Sequence, residues 1–189
     1  LRLPPETIFV GTVLTVQKST FMERIFKTRR IELKRFYLPN HLYFVTSVIE
    51  NRRKIFTNNL NINVLLDSFD HYRKEQGFKI VAFCILPDHF HWLIIPTETI
   101  DISQIMKSVR GFSARKINKE NNQCGRLWQH QFLDHVIRKD EDYKQHIHYI
   151  HKNPVKHELV EEPEDYPWSS YRNYYLDDDS LFRIDRLPL

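Results

Sequence analysis

The chain has 189 residues, 41% of them hydrophobic and 13% aromatic, which suits one domain with a substantial core and argues against wholesale disorder. Its four glycines, Gly11, Gly77, Gly111 and Gly125, are spaced too widely for a dinucleotide fingerprint or a P-loop. Its two cysteines, Cys84 and Cys124, exclude a disulfide framework and a Cys-based zinc site, and suit a reducing, cytoplasmic setting.

The net charge of +4 is unevenly spread. Residues 18–36 hold seven Lys/Arg against two acids, residues 104–138 again hold seven against two, and residues 158–179 are acidic, ending in Asp177, Asp178 and Asp179. Two basic blocks suit a polyanionic partner. Ordinary solvated helix faces produce the same pattern, and on charge alone they are the better reading. No apolar run approaches the roughly 20 residues that span a bilayer, so no membrane partner is expected. The stretch Ile8–Val16 lacks the flanks of a signal peptide. The first methionine is Met22, which suggests a natural start there, or at Leu1, as an expectation.

In chain order, residues 41–49 (HLYFVTSVI) predict a strand. Residues 59–76 predict a helix with Leu60, Val64, Leu65, Phe69 and Tyr72 near one stripe, stopped by Gly77. Residues 79–86 (KIVAFCIL) form a nearly continuous apolar run, as a central strand does. Pro87-Asp88 makes a turn into a further strand over 89–95. Asp101 with Gln104 predicts a capping box, and Ile102, Ile105, Met106, Val109, Phe112 and Ile117 carry an apolar stripe to about residue 119. Gly111 interrupts that helix at a cost of about 1 kcal/mol relative to Ala, which suggests close packing or a close ligand. Residues 127–138 read as extended. Residues 140–153 predict a last helix ended by Pro154, and Pro163–Tyr175 a loop-like aromatic tail. The order predicts an α+β, ferredoxin-like or RRM-like βαββαβ plan. Its antiparallel sheet carries helices on one face, and an additional C-terminal helix follows.

Two groups could do chemistry. His89 and His91 lie two apart on a predicted strand and so share a face, and two neutral imidazoles on one face begin a divalent-metal site. A lone pair of this kind is as often a solvent-facing polar pair, although the flanking Leu86 and Leu93–Ile95 place it centrally in the sheet. Tyr149 lies off the core arc formed by Tyr143, Ile147 and Ile150 at about 100° per residue, with Asn153 one turn beyond it on the same flank. A phenol of pKa about 10 is a weak nucleophile at neutral pH. Attack on a phosphodiester therefore calls for a cation that polarises the phosphoryl oxygens. His89, His91 and the Asn153 oxygen would supply three ligands, with His146 a rival for the third place. Mg²⁺ prefers oxygen, so two imidazoles also admit Mn²⁺. Ser169-Ser170 lacks the glycine-flanked elbow of a serine nucleophile.

The segment Pro87-Asp88-His89-Phe90-His91-Trp92 resembles the His-hydrophobic-His motif of HUH single-strand nucleases. Together with Trp128-Gln129, Phe132–Arg138, Tyr149–Lys156 and Tyr166–Tyr171, it is similar to the REP-associated tyrosine transposases, relatives of the single-tyrosine, IS200-like transposases of small insertion sequences. The resemblance spans roughly residues 36–175.

The resemblance implies that Tyr149 is a nucleophile forming a 5′-phosphotyrosine link with single-stranded DNA. It implies that His89, His91 and Asn153 hold a divalent metal, Mg²⁺ or Mn²⁺, and that the partner is hairpin-forming single-stranded DNA. It further implies residues 1–35 as an extension, 36–158 as the nuclease domain and 159–189 as a tail. Residues 1–21 and the acidic Asp177–Asp179 ending fall outside the shared pattern.

Lys107, Arg110, Arg115, Lys116, Arg126 and Arg138, with Trp128, form a plausible single-strand platform of phosphate cations and a stacking ring. A solvated helix face and a core tryptophan are the alternative, and for Trp128 the stronger one. Three functions follow: a metal-dependent tyrosine transposase or endonuclease, a non-cleaving hairpin DNA- or RNA-binding module, and a metal phosphodiesterase using activated water. Monomer and homodimer both remain open.

Overall fold

A computed structural model describes residues 37–187. The expectations placed on residues 1–36, including the first basic block and the start at Met22, lie outside the described residues. The elements in order are β1 (Tyr43–Val48), α1 (Asn59–Gln76), β2 (Lys79–Leu86), β3 (His89–Ile95), α2 (Ile102–Glu120), β4 (Leu133–Val136), α3 (Asp140–Lys156) and the short α4 (Tyr171–Tyr175).

Local chemistry sets most boundaries. The Asn58 side chain accepts from the Leu60 N–H to open α1, and Gly77, at φ 73°, closes it in the left-handed region with its N–H on the Arg73 carbonyl. Asp101 and Gln104 make the expected reciprocal capping box at α2. The sheet runs β2-β3-β1-β4 with antiparallel pairing throughout, as the βαββαβ plan requires.

Strand alternation divides the interior in two. On one face Val45, Phe90, Trp92 and Ile94 pack against Leu65 and Phe69 of α1 and Ile105, Met106 and Val109 of α2. On the other, Cys84, Leu86 and Leu93 pack against Ile147 and Ile150 of α3 and against Tyr166. Each fully buried large side chain contributes about 1.5–3 kcal/mol relative to exposure. Helix α3 thus lies across the sheet from α1 and α2, on the face shared by His89 and His91.

Several local expectations change. Pro154 lies inside α3, which continues to Lys156. Pro154 has no N–H to offer the Ile150 carbonyl, yet the His157 N–H still closes on the Asn153 carbonyl. Leu60 is 65% exposed and stands off the packing stripe. A Cβ at Gly111 would meet only Arg115 Nη1 at 3.5 Å, an ordinary contact, so packing does not demand that glycine. The extended reading of 127–138 shrinks to β4 and a bridge between Ile49 and Trp128.

The tail is built onto the sheet. Ser169 bridges Cys84, the Ser170 N–H donates to the Phe83 carbonyl, and Phe182 and Ile184 are buried in the first core. The free edge of β2 is thereby covered. The acids Asp177–Asp179 are ion-paired rather than merely solvated: Asp178 with Arg172, Asp177 and Asp179 with Arg186. Among the described residues no helix is long and apolar enough to cross a membrane.

Candidate active site

His89 and His91 project from β3 toward α3 with ring centroids 4.8 Å apart, and both are buried, at 5% and 4% exposure. Each is held at Nδ1. His91 Nδ1 meets Thr46 Oγ1 at 2.7 Å, Thr46 being its antiparallel partner in β1, and His89 Nδ1 meets Asp88 Oδ1 at 2.5 Å. Holding Nδ1 fixes each ring and leaves Nε2 to face the site, as in metal-ligating histidines. Burial, and then the neighbouring His89, holds the His91 imidazole well below the usual histidine range, so it is neutral and able to donate a lone pair.

Asp88 is tied on its other side to Arg52, with Nη1 3.0 Å from Oδ2. Burial pushes the Asp88 carboxyl up, but the His89 hydrogen bond and charge and the Arg52 pair outweigh it and hold the carboxyl at about 2. Arg52 reaches Asp88 from a backbone at φ 51°, next to Asn51 at φ 57°. Such a conformation is uncommon for a long side chain and is kept only where surrounding contacts enforce it.

Tyr149 comes from α3 in the same chain. Its ring lies 5.3 Å from His91 and 5.8 Å from Phe44, and it is 39% exposed. The Lys156 ammonium stands 5.6 Å from the Tyr149 ring, within cation–π range. One turn past Asn153, the His157 ring lies 5.4 Å from His89. Burial first, then the charge of His89, lowers the His157 pKa. Asn153 is one helical turn from Tyr149 and one from His157, and those two rings flank the histidine pair, so Asn153 is bracketed against it.

Asn153 is 1% exposed, and among the described residues neither its Oδ1 nor its Nδ2 has a hydrogen-bond partner; His91 Nε2 is likewise buried and, among those residues, unpartnered. Buried polar atoms left alone cost about 1–3 kcal/mol each. The Asn153 amide oxygen and His91 Nε2 can each offer a lone pair, the chemistry that a divalent cation asks of its ligands.

A second cluster lies beside this one. His135, Asp142 and His146 offer three ligand atoms within 4.8 Å of one another, a His/Asp group capable of coordinating a divalent ion. His146, the rival third ligand, belongs here: its Nδ1 is 3.0 Å from Asp142 Oδ1, and its ring packs on the Phe44 ring at 4.6 Å. Phe44 in turn stacks on His91 at 5.3 Å, so it stands between the two clusters.

The structure does not gather the expected DNA-contact residues on one surface with the histidines. Lys107, Arg110, Arg115 and Lys116 lie on α2, behind the sheet. Trp128 is 4% exposed, packs in the first core and donates its indole N–H to Ser113 Oγ at 3.2 Å. That sides with the core tryptophan, the stronger of its two readings, over a stacking platform. The Arg110 guanidinium donates to the Gln129 carbonyl and lies 6.0 Å over Trp128, so it braces that core residue. Lys116 reaches Asp67 at 3.5 Å and Arg126 reaches Glu50 at 3.8 Å. Arg138 is exposed just before α3.

Sequence reasoning gave no site role to Thr46, Arg52, Asp88, Lys156 or His157. Helical spacing from Tyr149 and Asn153 could have marked His157. Thr46 becomes visible only through strand register.

Residues 37–153 match the family model described as transposase IS200 like. A Haemophilus influenzae protein provisionally named a REP-associated tyrosine transposase is 33% identical over 73% of this chain and 84% of its own length. A REP-associated tyrosine transposase of Escherichia coli K12 is 29% identical over 74% of this chain and 82% of its own length. A solved REP-associated tyrosine transposase bound to a REP hairpin superposes with a TM-score of 0.67 at 25% identity, covering 85% of this chain and 93% of that one. With a buried histidine pair facing a tyrosine on the following C-terminal helix, and a family match over more than half its length, this chain belongs to the IS200-like transposase family.

Proposed function

We propose that this protein binds hairpin-forming single-stranded DNA, cleaves it and rejoins strands through a 5′-phosphotyrosine intermediate on Tyr149. The observation that carries the reading is the Tyr149 ring set 5.3 Å from His91 within one chain. Family membership and the hairpin-bound relative support it. His89, His91 and Asn153 would hold a divalent cation, Mg²⁺ or Mn²⁺; when bound, it supplies Lewis-acid polarisation of the phosphoryl oxygens.

The remaining chemistry belongs to side chains. The Tyr149 oxygen attacks phosphorus as its proton leaves to solvent. The bond from phosphorus to the upstream 3′ oxygen breaks, and that oxygen takes up a proton as a free 3′-OH. The phosphate stays esterified to Tyr149 with the downstream strand attached. Attack by a second strand's 3′-OH reverses these steps and frees the phenol. Lys156, beside the Tyr149 ring, offers positive charge to the phosphate and to the developing phenolate. Thr46 and Asp88 hold the imidazoles so that no reorientation is needed at the moment of reaction. A cytoplasmic setting belongs to the same proposal, supported by the two free cysteines.

The test is incubation of the protein with a single-stranded DNA hairpin carrying a short flanking strand, with Mg²⁺ or Mn²⁺, followed by denaturing electrophoresis. Wild type should give a covalent protein–DNA band that chelator abolishes, and Tyr149→Phe should give none. A band that survives Tyr149→Phe overturns the reading. Salt-dependent binding with no adduct in wild type would leave a binding module instead.

A further inference from the structure

We propose that His135, Asp142 and His146 form a second metal site, selective for a first-row transition-metal dication such as Zn²⁺, that ties the tyrosine helix to the edge strand β4. His135 is contributed by β4, and Asp142 and His146 by the first two turns of α3. His135 Nε2 is 3.0 Å from Asp142 Oδ2, and His146 Nδ1 is 3.0 Å from Asp142 Oδ1. The two imidazoles stack at 5.4 Å with planes 18° apart. A four-coordinate zinc with bonds of about 2.0–2.1 Å separates its ligand atoms by about 3.3 Å. Ligand atoms already within 4.8 Å of one another reach that spacing through small side-chain movements.

The donor set decides the class of ion. Two imidazoles and one carboxylate suit zinc and its neighbours and are poor for Mg²⁺ or Ca²⁺, which take oxygen. Access is open: the His135 side chain is 56% exposed, Asp142 27% and His146 21%. Water can therefore complete the coordination. Asp140 and Glu141 stand in the same first turn, and their charge offsets the positive helix N-terminus that otherwise opposes a cation.

The site is separate from the one that holds the nucleophile, yet mechanically joined to it. The Phe44 ring touches His146 at 4.6 Å, His91 at 5.3 Å and Tyr149 at 5.8 Å. His146 is also one turn before Tyr149 on α3. An ion across His135, Asp142 and His146 would cross-link β4 to the helix half that carries the tyrosine. This inference stands apart from the catalytic reading, because its residues play no part in the chemistry proposed for Tyr149.

The test uses the full chain, with Zn²⁺ as probe, by equilibrium dialysis and by thermal unfolding. His135→Gln and Asp142→Asn should each bind one zinc fewer than wild type. His89→Ala/His91→Ala should retain the zinc that those variants lose, and should still be stabilised by Zn²⁺. The exposed His135→Gln change leaves folding intact, which circular dichroism checks independently. Equal zinc stoichiometry in wild type, His135→Gln and Asp142→Asn would overturn the proposal, as would loss of all bound zinc in His89→Ala/His91→Ala. Adduct formation by His135→Gln with Mg²⁺ and hairpin DNA tests the catalytic reading separately.

Discussion

The phenol ring of Tyr149 stands edge-on to the imidazole of His91, with centroids 5.3 Å apart and planes at 71°. One residue is on β3 and the other on α3, and the contact forms within a single chain. His91 keeps its orientation through Thr46, so the threonine acts on the site without touching substrate. Thr46→Val removes the Nδ1 partner while keeping shape. Loss of an orienting bond to a ligating histidine typically costs 10–100-fold in metal affinity. Adduct formation by Thr46→Val should therefore need about 10–100-fold more Mn²⁺ than wild type and recover at high Mn²⁺. A titration of adduct yield against Mn²⁺ checks this, and an unchanged midpoint would remove Thr46 from the site.

Asn153 separates stability from function. Its amide is buried with both polar atoms unpartnered among the described residues, a cost of about 1–3 kcal/mol to the metal-free fold. Asn153→Leu, close in volume, relieves that cost and deletes the proposed ligand. Urea unfolding in chelator should show the variant as stable as wild type or more so, by up to about 2 kcal/mol. The same variant should lose adduct formation by on the order of 100-fold. A destabilised variant would mean that the amide has a partner in solution.

Much of this was legible in the residues, for identifiable reasons. Gly77 and the Asp101–Gln104 pair mark helix ends through local chemistry that tertiary context rarely overrides. The period-two run 89–95 put His89 and His91 on one face because strand geometry allows nothing else. Register and layer are different matters. No local pattern says that Thr46 sits opposite His91, or that α2 packs behind the sheet while α3 packs in front. The basic residues of α2 therefore looked close to the histidine strand in sequence while lying across the sheet in space. Trp128 and Arg110 look like a nucleic-acid platform by composition, but they meet each other and Ser113 in the core. His146 shared Asn153's flank by angle, and only the position of β4, with His135 on it, shows which cluster it joins.

The cations beside Tyr149 should matter more for DNA than those on α2. Lys156→Gln should weaken single-strand hairpin binding and reduce the slope of log K against log salt by about 1. Lys107→Gln, on the opposite side of the sheet, should leave the slope unchanged. Binding isotherms at several salt concentrations decide it. The reverse ranking would put the DNA path across α2.

The Ser-Ser pair of the tail locks the tyrosine helix from behind. His151 Nε2 lies 2.9 Å from Ser170 Oγ, which also accepts from the Phe83 N–H at 3.0 Å. Burial, then the nearby His148, lowers the His151 pKa to about 3, so the ring is neutral in the fold. The sign of the pH effect follows. Above the unfolded value of about 6.5, neither state binds the proton and the group adds no pH dependence. Below it the unfolded chain takes up a proton that the native state refuses, and stability falls until the pH passes the folded value. At pH 5 the loss relative to pH 7 is about 2 kcal/mol from this one group. Urea unfolding in chelator should show His151→Leu losing about 2 kcal/mol less than wild type between those pH values, although its absolute stability is lower for want of the Ser170 bond. Parallel stability curves for the two proteins across that range would mean that His151 is protonated, or solvated, in the native state.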